Sequence, residues 1–456
     1  MCRLLFFLLF VANLMAIPAK KSPSDGHSLR GIVFIVSDGT SQELLTAARC
    51  YASGPEGRLV MDDYPATAFV TTYSANNMVT DSAAAATALA RGIKADNNVI
   101  GMASATSTNS PASLLDIARE AGWSTGTITD DSVTGATPAP FEVECPGRNQ
   151  HAQIAQMIVP RLGPRADIIL GGGNKWFHDM SPTENYASDD LQRVKQTEHE
   201  LQERPVVAFS RWEDFKAYVN AGNSLKKPVL GTFAPDVLSY YADGTRTLRL
   251  KDMVDECLDL MLRDKRSFFL MVEAALPDKA CHQNQAKRAI GEVLELDAMM
   301  LLLKERLPKD VLVVATTDHN NGGFAFNGPA PRSLRGEALL AESPISKSST
   351  FTWATGPGGP GGPGGARDPG SAGKTKSVTR APGGTNDSLN PVDPLALDHS
   401  QPAAIYRGAS QHTGGDVWLV ASGPGSQNFH GHIDNTQIYS LLSKAISGEG
   451  KRAVGK

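Results

Sequence analysis

Three apolar runs constrain the fold of this chain more than any bulk property, because each one ends at an acid. Gly31 to Ser37 is followed by Asp38, Phe268 to Val272 runs into Glu273, and Val311 to Thr317 is followed by Asp318 and His319. Runs without polar alternation fit strands covered on both faces, the situation of a parallel sheet. Parallel strands need crossover helices, and helical patterns occur at Ser113 to Ala121, Gln150 to Leu162, Gln285 to Arg306 and Gln437 to Ile446. Further strands are expected at Thr67 to Thr72, Trp123 to Thr129, Asp167 to Leu170 and Val417 to Ala421. The expected fold is α/β, with a mainly parallel central sheet flanked by helices on both faces. Such sheets gather ligands at the carboxyl ends of their strands, which is where these acids stand.

The chain has 456 residues, enough for one large α/β domain, expected over 31–448. Met1 to Arg3 followed by the apolar Leu4 to Ala16 reads as a signal peptide over 1–16, cleaved at the small Ala16. The apolar stretch falls short of the roughly 20 residues that a bilayer requires. A flexible segment over 17–30 and a polar tail over 449–456 complete the division. Ser447 to Lys456 holds no lipid-anchor signal, so a secreted or periplasmic protein without a membrane anchor is expected. A net charge of -4 gives no electrostatic cause to bind nucleic acid. Once Cys2 leaves with the signal, Cys50, Cys145, Cys257 and Cys281 allow three full pairings, none of which a core this large requires.

Periodicity fails from about Phe324 to Ala404, and Gly356 to Gly365 reads GPGGPGGPGG. These triplets are too few for a triple helix, so the segment reads as an irregular, flexible Gly/Pro-rich surface insertion. Its base must approach the acids, because it lies between Asp318-His319 and His412.

The chemistry-bearing residues cluster around those acids. Val79 to Ala88 carries Asp81 and Ser82 ahead of an alanine-rich stretch, so Ser82 falls in the first turn of a helix, where backbone N–H groups favour an anion. Taken alone, Thr80, Asp81 and Ser82 read first as the cap of an alanine-rich helix. A serine hydroxyl needs activation, and with no histidine nearby in sequence a metal is the candidate. Asp278 and His282 are four apart, on one face of a helical turn, an oxygen and nitrogen pair that suits zinc. His412 precedes the last strand, while His178, His430 and His432 read as ordinary histidines.

Together these motifs resemble the alkaline phosphatases. Val79 to Ala88 is similar to the family's nucleophile signature, Gly171-Gly172-Gly173 and Phe233-Ala234-Pro235-Asp236 to its landmarks, and the acids and histidines follow its order. The resemblance implies Ser82 as the phosphorylated nucleophile. It implies one zinc on Asp278, His282 and His412, a second on Asp38, Asp318 and His319 that also contacts Ser82, and a magnesium on Asp38, Glu273 and Thr137. Arg148 falls at the phosphate-clamping arginine, and Lys279 would reach phosphate through water. Asp81 would support the site by accepting a hydrogen bond from Arg148. Gly135 departs from the pattern, since many members carry an aspartate or histidine there that shapes the third-metal site. The resemblance further implies phosphate monoesters as substrates and a homodimer. The alternatives are a phosphodiesterase- or sulfatase-like relative on the same metal frame, and a catalytically weak phosphate-binding protein.

Overall fold

The computed structural model describes residues 29–164, 167–180, 184–245, 247–360, 393 and 395–448. The signal peptide at 1–16, residues 17–28, the triplets from 361 onward and the tail at 449–456 therefore lie outside the described residues. In chain order the strands are β1 (Gly31–Ser37), β2 (Ala66–Thr71), β3 (Ser124–Ser132), β4 (Ile168–Gly172), β5 (Val207–Phe209), β6 (Val229–Thr232), β7 (Phe268–Ala274) and β8 (Val311–Thr316). After these come β9 (Asn320–Asn321), β10 (Ala325–Phe326), β11 (Phe351–Gly356), β12 (Ala403–Tyr406), β13 (His412–Thr413), β14 (Val417–Ser422) and β15 (Gly431–Asp434).

The three acid-terminated runs lie side by side at the centre. A ten-stranded sheet has the order β15-β2-β14-β8-β1-β7-β3-β4-β6-β5. β1 pairs in parallel with both β7 and β8, which brings Val36 opposite Glu273 on one side and Thr316 on the other. Only β14 runs against its neighbours, β2 and β8. β1 feeds a core on each face. Ile32, Phe34 and Val36 pack with Phe269, Met271, Leu312 and Val314 beneath the helices Ser82–Arg91, Leu114–Glu120 and Asn435–Ser447. Val33 and Ile35 pack with Leu270, Val272 and Val313 beneath Gln42–Ser53, Leu250–Arg263 and Ala286–Arg306. Each fully buried side chain of this size stabilises by about 1.5–3 kcal/mol, so the three central strands are anchored from both sides.

Local chemistry explains the departures from expectation. The helix expected over Gln150 to Leu162 stops at Ile158 and tightens into a 3₁₀ turn, Val159–Arg161. Pro160 lacks the N–H that the helix would need there. β3 continues to Ser132, its register against β4 shifting between Ile128 and Ser132. Between Gly173 and Phe268 the chain adds β5, β6 and three helices that its sequence barely announces. One of these, Ser188–Glu203, buries only Val194, Thr197 and Leu201.

The described part of the 324–404 insertion is more regular than its sequence suggests. β10, β11 and β12 form a small sheet, and Phe351 and Trp353 are buried. Asn284, fully buried in a left-handed conformation (φ 55°), ties this sheet's base to the main body. Its Nδ2 donates to Thr355 O at 3.1 Å and to Ser410 Oγ at 2.6 Å, and its Oδ1 accepts from Gly358 N at 3.1 Å. Gln401 N donates to Asn284 O at 2.8 Å, so both feet of the insertion meet one residue. A Cβ on Gly356 would stand 2.0 Å from Asn284 Oδ1, which is why this first glycine of the triplets is required.

Candidate active site

The carboxyl ends of β1, β7 and β8 deliver Asp38, Glu273 and the Asp318-His319 pair to one place. Asp278 and His282 follow on the short helix Leu276–His282, as their spacing predicts. His412 arrives on β13, which pairs with β9 immediately after His319. Two groups result, Asp278–His282–His412 and Asp38–Asp318–His319, each with ligand atoms within 4.8 Å of one another. The His319 and His412 rings stack at 3.6 Å between centroids, so the groups adjoin.

In the first group Asp278 is buried, and the two half-buried histidines are oriented by backbone. His282 Nδ1–H donates to Ser410 O at 2.6 Å, and His412 Nδ1–H donates to Thr80 O at 3.1 Å. Each Nε2 is therefore left with its lone pair, and the two face each other at 3.3 Å. Two lone pairs at that distance repel unless a proton or metal joins them. Asp278 Oδ2 lies 3.1 Å from His282 Nε2, and Asn321 Nδ2 donates to Asp278 Oδ1 at 2.6 Å.

The second group is fully buried. His319 Nε2 lies 3.4 Å from Asp38 Oδ1, 3.2 Å from Asp318 Oδ2 and 3.1 Å from Ser82 Oγ. Asp38 Oδ1 and Asp318 Oδ2 are buried without a hydrogen-bond partner. Orphaned acceptors of this kind cost free energy unless a cation satisfies them. Behind the group, Thr137 Oγ1 donates to Asp38 Oδ2 at 3.4 Å, and Thr129 Oγ1 donates to Glu273 Oε2.

Electrostatics point the same way. Burial, then the charges of Asp318, Asp278 and Glu273, push the Asp38 carboxyl well above its usual range. Burial and then Asp131 push up Glu273, and burial and then Asp278 push Asp318 up to about 6. Burial and the neighbouring His412 hold the His319 imidazole well below its usual value. Burial opposes ionisation of Asp278, but the imidazoles of His282, His412 and His319 outweigh it and hold this carboxyl low. The protein alone thus supplies too little positive charge for its carboxylates, a deficit that divalent cations would meet. Mixed nitrogen and oxygen donors in both groups suit zinc, and the all-oxygen set of Asp38, Thr137 and Glu273 suits magnesium.

Ser82 opens the helix Ser82–Arg91, and Asp81 is its N-cap, with Oδ1 accepting from Ala84 N at 3.0 Å. The other carboxylate oxygen of Asp81 takes Arg148 Nη1 at 2.9 Å. The cap and the supporting role expected of Asp81 are therefore the same carboxylate. Burial opposes the Arg148 charge, but Asp81 outweighs it. Lys279 pairs with Asp131, Nζ to Oδ2 at 3.0 Å. His432 stays outside, exposed and 3.0 Å from Asp416 Oδ2. Thr129, Asn321, Asn284 and Asp131 carried no sequence signal, because polar residues that hold other residues in place follow no period. The four cysteines Cys50, Cys145, Cys257 and Cys281 are free and buried. No helix among the described residues is long and apolar enough to cross a membrane.

Comparison with known proteins places the chain. The alkaline phosphatase family profile matches residues 29–447. Alkaline phosphatase 4 of Bacillus subtilis (strain 168) is 27% identical over 94% of this chain and 91% of its own length. The tissue-nonspecific alkaline phosphatase of Gallus gallus is 26% identical over 91% of this chain and 84% of its own. Among solved structures, the alkaline phosphatase of Thermus thermophilus superposes with a TM-score of 0.66 at 23% identity, covering 97% of this chain and 96% of that one. The alkaline phosphatase of the Antarctic bacterium TAB5 gives 0.64 at 20% identity, covering 92% and 98%, and a variant of it is described with Mg bound in its M3 site. The large, mostly parallel sheet is the fold of these enzymes, and with the family match over nearly its whole length the chain belongs to the alkaline phosphatase family of phosphomonoester hydrolases.

Proposed function

We propose that this chain hydrolyses phosphate monoesters through a phosphoserine on Ser82, at a site holding two zinc ions and one magnesium. One observation carries the reading: Ser82 Oγ stands 3.1 Å from His319 Nε2 on a helix whose capping Asp81 also holds Arg148. Nucleophile, metal-binding group and phosphate clamp are thereby fixed relative to one another. Asp278, His282 and His412 would hold one zinc, Asp38, Asp318 and His319 the second, and Asp38, Thr137 and Glu273 the magnesium. When bound, these ions supply charge to lower the Ser82 and water pKa values and to stabilise the oxygens of the transferring phosphoryl group. The Arg148 guanidinium presents two N–H groups to the non-bridging oxygens, which a lysine could not match. The helix N-terminus adds backbone N–H groups at the same point. Ser82 Oγ then displaces the alcohol, and water releases phosphate from Ser82.

Ser82→Ala should lower turnover of an aryl phosphate by on the order of a thousandfold or more while metal content is unchanged. Activity within tenfold of wild type would show that another group is the nucleophile. Mass spectrometry of protein quenched at low pH should find phosphate on the peptide containing Ser82. Comparing an aryl phosphate, a bis-aryl phosphate and an aryl sulfate separates the monoesterase from a diesterase- or sulfatase-like relative. Phosphate binding without turnover would mark a binding protein. We further propose an exported protein, supported by Met1 to Ala16 and tested by N-terminal sequencing of the mature form. We propose a homodimer as well, on the family resemblance alone, to be tested by light scattering.

A further inference from the structure

Gly135 offers no side chain where the family pattern places one beside the third-metal residues, and a different residue reaches that space. A Cβ built on Gly135 would lie 3.1 Å from Asp131 Oδ2 and 2.9 Å from Ser132 O. The Asp131 carboxylate therefore stands where a side chain at 135 would begin. The register of β3 against β4 shifts between Ile128 and Ser132. Neighbouring residues on a strand face opposite sides, so the adjacent acids diverge. Asp130 Oδ1 accepts from Ala275 N at 2.7 Å, while Asp131 Oδ2 takes Lys279 Nζ at 3.0 Å. Asp131 N–H donates to Thr129 Oγ1 at 2.8 Å, and the same hydroxyl donates to Glu273 Oε2. The Asp131 backbone is thus one hydroxyl removed from Glu273, and its carboxylate is paired with Lys279.

We propose that Asp131 is the positioning residue that replaces the missing side chain at 135: it holds Lys279 toward bound phosphate and forms the outer wall of the oxygen cradle of Asp38, Thr137 and Glu273. This rests on the reading of that cradle as a divalent-cation site. A small hard cation keeps several waters, and those waters need acceptors beyond the direct ligands. After burial, the Asp131 charge is the strongest influence on the Glu273 carboxyl, as expected of neighbouring acids. Burial works against the charge on Lys279, and Asp131 foremost among the nearby acids outweighs it.

Asp131→Asn keeps the shape and removes the charge. On zinc-loaded full-length protein, calorimetric titration with magnesium should show affinity lowered about 10- to 100-fold, the range for losing an outer partner of a metal ligand. Zinc content should not change. Asp131→Glu should recover part of the loss, since it restores the carboxylate. Inhibition by inorganic phosphate should weaken several-fold in Asp131→Asn, and no further when Asp131→Asn is added to Lys279→Ala, because the effect passes through the lysine. Magnesium affinity within twofold of wild type overturns the proposal, as does an additive effect on phosphate. Zinc loss in proportion to magnesium loss marks a general structural role and also overturns it. If wild-type protein takes up no third divalent ion, the cradle reading itself fails, and this proposal with it.

Discussion

The two candidate zinc groups adjoin yet are built in opposite ways. Asp38, Asp318 and His319 sit at the ends of central strands that are buried on both faces, and all three are themselves buried. In the other group His282 and His412 are half-buried and are aimed by the carbonyls of Ser410 and Thr80. Sheet packing fixes the first group. The second depends on a chain that leaves the sheet after β9, passes through the insertion and returns at β13. One group is therefore as rigid as the core, and the other is only as good as the anchoring of a long excursion.

This contrast is open to test. The largest expected effect comes from deleting one imidazole on each side. His319→Ala should lower activity by on the order of a thousandfold or more, since it removes a proposed ligand and the neighbour of Ser82. His412→Ala should cost less and leave close to one zinc per chain on dialysis. Equal zinc loss in both variants, measured by plasma emission, would show that the groups fill as one unit.

The next effect is on pH-dependent stability. Folding raises the carboxyl pKa values of Asp38, Glu273 and Asp318, the last to about 6. A raised carboxyl stabilises the metal-free fold below its ordinary value near 4 and loses that contribution as pH climbs through the folded value. His282, whose charge burial opposes but Asp278 holds high, acts in the same sense as the acids, while His319, held low, acts in the opposite sense below about 6.5, one group against four. Asp278, held low, is ionised in both states across this window. The gap in Tm between zinc-loaded and chelator-stripped protein should therefore widen from pH 4.5 to 7.5. A constant gap would mean that the buried acids are not the source of the metal requirement.

The smallest effect should come from the anchor. Asn284→Ala removes its side-chain hydrogen bonds to Thr355, Ser410 and Gly358 and should cost about 1–3 kcal/mol in stability. Zinc affinity should fall several-fold at Asp278–His282–His412 and hold at the strand-end group. Loss from both, in competition with a chromogenic chelator, would mean that the two groups share one anchor.

The same contrast governs what the sequence reveals. Asp38, Glu273 and Asp318 were legible because an acid closing an apolar run is conspicuous in any sheet protein. Asp278 and His282 were legible from helical spacing. His412 stood out only through resemblance, since its place depends on a two-residue strand pairing far along the chain. Thr129 and Asn321 were invisible because a residue that orients an acid carries no pattern of its own. The insertion misled most: glycines suggesting slack include Gly356, which is required by close approach to Asn284. The pairing of Asp131 with Lys279 has no signature beyond a pair of adjacent aspartates.

Asn284 has a consequence for engineering. Gly358 and Gln401 both hydrogen-bond to this one residue, so the chain between them starts and ends at a shared foot. Closing a longer loop on a fixed foot is cheap, about 0.6 kcal/mol for each doubling of length. The foot is therefore a socket into which a foreign peptide or domain could be spliced. Because Asn284 also holds Ser410, whose carbonyl aims His282, a strained graft would announce itself as a loss of zinc at that group before any loss of fold.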